Sequence, residues 1–268
     1  MLAACQTKKR TWSLPATVKI AARNALYNAW SRLKSLFVHR RVYGDTLPPG
    51  TRNLSFHYEL DFIRRRYHHL ATIYPLFNLL FWLPSGIRAK AVNRLELKRG
   101  NHVLEVGCGT GRNLPWLVAA VGSTGEVLAI DCSDAMLAKA AELRERNQWR
   151  NVELTQQDAS EIVLPGQVDG VLFSLSYTVM SKPRLALAQA WKYLRPGRHL
   201  VIMDGKLARG TLGRLSRPLV ILVSKATVLG DPDRRPWEDL KELTPQIEME
   251  EINLGTYYIC RGTKLTVT

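Results

Sequence analysis

Residues His102 to Leu114 read HVLEVGCGTGRNL, and they constrain the fold more than any other stretch of the chain. A short apolar run, Val103-Leu104-Glu105-Val106, meets three glycines, Gly107, Gly109 and Gly111. A helical pattern follows at once through Leu114, Leu117 and Val118. Strand, glycine turn and helix in that order build a nucleotide pocket at the carboxyl end of the first strand of an open α/β sheet. Glycine suits the turn because a Cβ would forbid the backbone angles or the close approach of a ligand. The dinucleotide fingerprint needs a further glycine three positions after the second, and Arg112 stands there. The spacing is therefore G-x-G-x-G, with the acidic Glu105 near the strand end.

After residue 100 the chain alternates strand and helix, the pattern of a doubly wound sheet. Candidate strands are 102–107, 126–131, 151–156, 168–175 and 198–204. Helices are expected near 112–121, 134–147 and 183–194, with a less regular segment at 211–227. The last two strands, near 246–254 and 256–264, are separated by Gly255 and can only form an antiparallel hairpin. The expected fold class is α/β: a doubly wound, Rossmann-like seven-stranded sheet with an antiparallel last strand, plus an N-terminal helical extension.

Asp131 closes the second strand, Glu126-Val-Leu-Ala-Ile-Asp131, twenty residues beyond Gly111. Nucleotide-binding sheets place a carboxylate there because it can accept from both ribose hydroxyls. Capping of the following helix falls more naturally to Ser133 or Asp134. Gln157-Asp158-Ala159 ends the third strand, a place where an aspartate also serves turn chemistry. The fourth strand, Val168 to Ser176, runs into Tyr177-Thr-Val-Met180.

Glu105 to Gly111 resembles motif I of the class I S-adenosylmethionine-dependent methyltransferases, whose glycine turn packs against the methionine part of the cofactor. Asp131-Cys-Ser-Asp-Ala-Met136 resembles motif II, which covers ribose and adenine. The resemblance further implies that Asp158 holds the adenine amino group and Ala159 lends a backbone contact. The stretch around Ser174 corresponds to motif IV, where substrate and methyl group meet, and its Phe-Ser-Leu-Ser-Tyr text is similar to lipid methyltransferases. It lacks the Asn/Asp-Pro-Pro-Tyr/Phe signature of enzymes that methylate nucleobase amines or protein glutamine. Tyr67-His-His-Leu-Ala-Thr-Ile-Tyr74 resembles the segment before motif I of the quinone and phospholipid methyltransferases, with Pro75 where that family has an aspartate. Leu194-Arg-Pro-Gly197 and Leu200 to Asp204 match the family's post-helix turn and fifth strand.

The resemblance spans about residues 67–205. It implies a methyltransferase whose cofactor, S-adenosylmethionine, is held by Glu105, Gly107, Gly109, Gly111, Asp131, Cys132, Met136, Asp158, Ala159 and Ser174. Tyr67 and Tyr177 are the candidate catalytic groups, with Tyr74 and His68 beside them, since an amine acceptor must lose a proton. Four cysteines, Cys5, Cys108, Cys132 and Cys260, form no C-x-x-C pair, so neither a zinc site nor a disulfide framework is expected.

Charge separates two regions. Residues 1–99 hold 18 Lys/Arg against 4 Asp/Glu, a net +14 of the chain's +15, and residues 100–268 are close to neutral. No acidic residue precedes Asp45. Between Ala16 and Arg41, Ala22, Leu26, Ala29, Trp30, Leu33 and Phe37 recur at helical spacing among basic residues. Such a helix can lie in a membrane interface, pack on the catalytic domain, or act as a targeting segment. Leu2-Ala3-Ala4-Cys5 has the look of a lipoprotein cleavage site, yet no charged and apolar segment precedes it, so no signal peptide is expected.

The expected organisation is a basic amphipathic extension over 1–53, a helical lid over 54–100 and the cofactor-binding domain over 101–268. Within the lid, Leu70 to Pro84 is apolar but too short to span a bilayer. The expected partner is an anionic membrane surface and the expected acceptor a lipid or other small molecule, which places the protein in the cytoplasm at the membrane periphery. A soluble metabolite as acceptor, or a cofactor-binding scaffold that recruits RNA, are the competing readings. Nucleic acid is disfavoured because the basic region lacks the aromatic stacking motifs of RNA modules.

Overall fold

In the computed structural model, residues 83–208, 210–226, 230–231 and 233–266 are described. The expected basic extension, most of the expected lid, and Tyr67, His68 and Tyr74 lie outside them. The described chain runs α1 (Ile87–Asn93), β1 (His102–Val106), α2 (Leu114–Val121), β2 (Glu126–Asp131), α3 (Asp134–Arg146), β3 (Val152–Gln156), β4 (Val168–Ser174), α4 (Pro183–Tyr193), β5 (Leu194–Gly205), α5 (Gly210–Ala226), α6 (Pro236–Lys241), β6 (Ile247–Ile252) and β7 (Tyr257–Thr263).

Successive side chains of a strand point to opposite faces, and this period of two sorts the core into two layers. Val103, Val127, Ala129, Leu172, Val201, Met203 and Ile259 face one way, packed with Ile87 and Ala91 of α1 and Leu114 and Leu117 of α2. Their neighbours Leu104, Val106, Leu128, Ile130, Val171, Phe173, Leu200 and Ile202 face the other way, against Ala186 and Leu187 of α4 and Leu240 of α6. Strands buried on both sides read as continuous apolar runs, which is why β1, β2 and β4 were legible as strands.

The sheet order is β3-β2-β1-β4-β5-β7-β6. β1 pairs in parallel with β2 and β4, and β4 with β5, while β7 is antiparallel to both β5 and β6. The chain winds outward from β1 to β3, then returns to place β4 on the other side of β1. This reversal between β1 and β4 is the switch point at which open α/β sheets form their ligand crevice.

Local details depart from expectation in four places. Within the helical lid expected over 54–100, the helix α1 stops at Asn93, and Glu96 beyond it takes a left-handed backbone (φ 52). Its residues Ile87, Ala91, Val92 and Leu95 are core, so 83–100 packs as part of the sheet domain rather than apart from it. The segment expected to be irregular is the helix α5, with Pro218 inside, and α6 had no counterpart in the sequence reading. Strand β5 begins already at Leu194: Val168 pairs with Leu194 and Gly170 with His199, so residues 195–198 bulge opposite Asp169. The Asp169 carboxylate gathers that bulge, accepting from Arg195 Nη1 at 2.8 Å and from the His102 backbone at 3.0 Å.

Candidate functional site

The carboxyl ends of β1 to β4 open into one solvent-open cavity. Gly107, Gly109, Asp131, Cys132, Met136, Asp158, Ala159 and Ser174, all expected at the site, line it together. Three of the expected residues that the structure describes are not on its lining: Glu105, Gly111 and Tyr177.

The side over β2 and β3 is organised by carboxylates held on backbone amides. Asp131 Oδ2 accepts from the Gly109 N–H at 2.8 Å and Oδ1 from the Ser133 N–H at 2.9 Å. This ties the end of β2 to the glycine turn after β1. Desolvation raises the Asp131 carboxyl above its usual range, opposed by those amide bonds. Ser133 caps α3, accepting from the Met136 N–H, which leaves Asp131 for the cavity. Asp158 serves the turn, its Oδ1 accepting from the Ser160 N–H at 2.9 Å, and the residue also lines the cavity.

The side over β1 and β4 is organised by side chains from distant parts of the chain. Glu105 shares the face of Val103 and so points toward α1 and α2. Its carboxyl is fully buried, and Asn113 Nδ2 donates to Oε1 at 2.5 Å. Asn113 Oδ1 in turn accepts from Arg88 Nη1 at 3.0 Å, and Ser174 Oγ accepts from the same nitrogen at 3.3 Å. Burial pushes Glu105 up to about 7, moderated by the Asn113 hydrogen bond and the Arg88 charge. Glu105 therefore lies behind Asn113 rather than on the cavity surface. That corrects its expected direct contact with the cofactor.

The three glycines serve three purposes. A Cβ on Gly107 would sit 2.6 Å from Ser176 Cβ, and one on Gly111 would sit 2.7 Å from Leu114 Cδ1. Both glycines permit close packing. Gly109 differs: its φ is 55° and an added Cβ would meet no protein atom within 4 Å, so it faces open cavity. Beyond β4, Leu175 is also left-handed (φ 55), a strained angle for a branched residue, and its N–H is held by Met203 O at 2.7 Å. Such strain is stored where a site needs a particular backbone path.

Tyr177 requires the second correction. Its side chain is fully buried, its hydroxyl donates to Asp239 Oδ2 at 2.9 Å, and its ring meets Phe173 edge-on at 5.6 Å. It is a core residue locking α6 onto the turn after β4. Among the described residues no Tyr or His lines the cavity. Arg88, Asn113, Thr110, Ser176 and Met180 line it without having been singled out. No motif marks Arg88, since it reaches the site from a helix before the glycine turn.

The residues fit S-adenosylmethionine. Gly109 leaves space where a side chain would intrude, and Thr110 Oγ1, on a residue of the cavity lining, is buried without a hydrogen-bond partner among the described residues. Buried polar atoms of this kind call for a ligand. Asp131 and Asp158 offer carboxylate oxygens to a nucleoside, and when bound the cofactor supplies a methyl group activated on a sulfonium.

Residues 103–197 match a family model described as a methyltransferase domain. The ubiquinone/menaquinone biosynthesis C-methyltransferase UbiE of Salmonella arizonae is 25% identical over 181 residues, covering 66% of this chain and 68% of that protein. Among solved structures, a complex between the Haloferax volcanii Trm112 methyltransferase activator and a methyltransferase matches at 15% identity. That match covers 77% of this chain and 99% of the other, with a TM-score of 0.61. The [4+2]-cyclase SpnF matches at 17% identity and a TM-score of 0.54, over 68% of this chain and 80% of its own. These two likenesses show the fold alone, and SpnF illustrates that one fold hosts different chemistries. No described helix is long and apolar enough to cross a membrane. The family match lies on the glycine turn and the strands that build the cavity, and the chain is an S-adenosylmethionine-dependent methyltransferase similar to UbiE.

Proposed function

We propose that this methyltransferase acts at a membrane surface, on a prenylquinone ring or a phospholipid amine headgroup. The observation that carries the reading is the charge asymmetry: a net +14 in residues 1–99 beside a nearly neutral 100–268. Clustered Lys and Arg of this kind draw a protein to anionic headgroups, about 1 kcal/mol for each residue near the surface. Two facts support it. The relative UbiE takes its name from ubiquinone and menaquinone biosynthesis. In α5, Leu215 is 81% exposed between the exposed Arg214 and Arg217.

Methyl transfer from a sulfonium is an in-line displacement, so the protein's work is alignment and exclusion of water. Asp131 and Asp158 hold the nucleoside end, and Ser174, Ser176 and Met180 border the cavity beside the end of β4. An amine acceptor would need a proton acceptor, and Tyr67, His68 and Tyr74 are the candidates for it.

The test is flotation of the full chain with anionic and zwitterionic vesicles, combined with transfer of labelled methyl to the extracted lipid. Salt-sensitive flotation on anionic vesicles with label in the lipid extract is expected. Label confined to water-soluble acceptors, without flotation, would overturn the reading in favour of a soluble metabolite.

A further inference from the structure

We infer that Asp204 and Arg234 are positioning residues, which hold the turn after β4 from outside the cavity and so set the wall along which the methyl acceptor lies. This rests on the proposed place of the acceptor, beside the end of β4. Ser176, Val179, Met180 and Ser181 of that turn line the cavity, whereas neither Asp204 nor Arg234 does.

The turn is poorly held by its own backbone. Leu175 enters it at a φ of 55°, and its internal bonds, from the Val179 N–H to Ser176 O and from the Met180 N–H to Tyr177 O, are both long at 3.3 Å. What fixes it comes from two other places in the chain. At the end of β5, Asp204 Oδ2 accepts from the Thr178 N–H at 3.1 Å and from the Thr178 hydroxyl at 2.9 Å, while Oδ1 accepts from the Gly205 N–H. Between α5 and α6, Arg234 Nη1 donates to Met180 O at 2.7 Å and to Tyr177 O at 3.3 Å. The neighbouring Asp231 N–H donates to Thr178 O at 3.1 Å. The approach is so close that a Cβ on Gly230 would sit 2.3 Å from Thr178 Oγ1.

Stability alone does not ask for this arrangement. Burial pushes the Asp204 carboxyl up to about 6, so at neutral pH the fold keeps a desolvated charge there. The left-handed Leu175 adds strain at the same turn. Charge-assisted hydrogen bonds fix a backbone path directionally, and in-line transfer depends on such alignment. As a carboxylate, Asp204 accepts all three bonds; protonation turns one of its oxygens toward donation and loosens the hold on Thr178. The charged and titratable groups around it are Arg234, which favours the carboxylate and is itself paired with Asp231 at 3.7 Å, and Tyr257 and Tyr258 of β7. Burial raises both tyrosines, so they stay neutral while Asp204 titrates.

The test joins methionine-methyl NMR of the full chain with labelled methyl transfer from S-adenosylmethionine into anionic vesicles carrying phosphatidylethanolamine and a prenylquinone. With S-adenosylhomocysteine bound, the wild-type Met180 methyl signal should titrate with a midpoint near pH 6, and that of the half-exposed Met249 on β6 should not. Asp204→Asn should abolish that titration, and Arg234→Gln should shift the Met180 signal at every pH. Turnover should fall about 30-fold in Arg234→Gln and about tenfold in Asp204→Asn, with S-adenosylhomocysteine affinity within about threefold of wild type. Arg234→Lys keeps a donor for Met180 O and should recover part of the loss; it takes the place of Arg234→Gln if that protein fails to fold. A Met180 signal that ignores both pH and Arg234 overturns the inference. So do variants that lose cofactor affinity and activity by one factor, the mark of a general loss of packing. Should the wild type transfer no label to the vesicles, the reading of the acceptor fails, and the Met180 signal decides the positioning by itself.

Discussion

The two sides of the cofactor cavity are built on opposite principles. Over β2 and β3, Asp131 and Asp158 are each held by backbone N–H groups within a few residues or on the adjacent glycine turn. Over β1 and β4, Glu105, Asn113, Arg88 and Ser174 hold one another, across sequence separations of 8, 25 and 86 residues. The first side uses geometry that any strand-turn-helix unit provides. The second is a buried polar network, and such a network depends on every member being satisfied. The lesson is that one ligand site can pair a transferable motif with a wall particular to its own packing.

The sharpest way to break the comparison is Asp131→Ala. It removes the acceptor of the first side and the clamp on the Gly109 N–H together. Affinity for S-adenosylhomocysteine should fall at least about 100-fold, near 3 kcal/mol, measured by titration calorimetry.

The second side should declare itself through pH. Glu105 has its carboxyl raised from 4.5 to about 7 by burial. The folded state then keeps a proton that the unfolded chain has released. Its contribution is complete below pH 4.5 and is lost as the pH rises toward 7, by about 3 kcal/mol at most. Asp204, pushed up to about 6 by burial, acts with the same sign from 3.8 upward. Chemical denaturation between pH 4.5 and 7.5 should show stability falling, and Glu105→Gln should flatten the Glu105 part of that slope. An unchanged slope would remove Glu105 from the account.

Gly109→Ala and Gly111→Ala sharpen the contrast further. Gly109 faces open cavity, so its alanine variant should fold with about 1–2 kcal/mol of left-handed strain and bind cofactor about tenfold more weakly. Gly111 is packed on Leu114 and Ala140, so its variant should lose stability first, read from the thermal midpoint. Smallest of all is Tyr177→Phe, which deletes one hydrogen bond to Asp239, an acid that Arg184 also holds. It should cost about 1 kcal/mol of stability and leave cofactor affinity unchanged.

Much of this was legible in one dimension. β1, β2 and β4 show as apolar runs because a strand buried on both faces needs no polar alternation. The hairpin of β6 and β7 follows from strand spacing, although its turn takes residues 253–256, with Asn253 and Leu254 left-handed as well as Gly255. Asp131 was found because it stands at a set distance from the glycines. Tyr177 was misjudged because position beside motif IV does not say which way a side chain points. The chain turns there, Thr178 is anchored on Asp204, and the ring goes into the core. α5 was missed as a helix because Pro218 and Gly213 weaken its local signal.

What the sequence determined by itself is the βαβ framework, the glycine turn and the carboxylates at the ends of β2 and β3. These depend on residues near one another in the chain, where periodicity and turn geometry act. Only the tertiary structure decided which groups make the opposite wall. Arg88 meets Ser174 because α1 and the end of β4 are brought to the same side of the switch point, and Glu105 turns toward them because odd residues of β1 face α1 and α2. Long-range packing settles those contacts, and no local pattern encodes them.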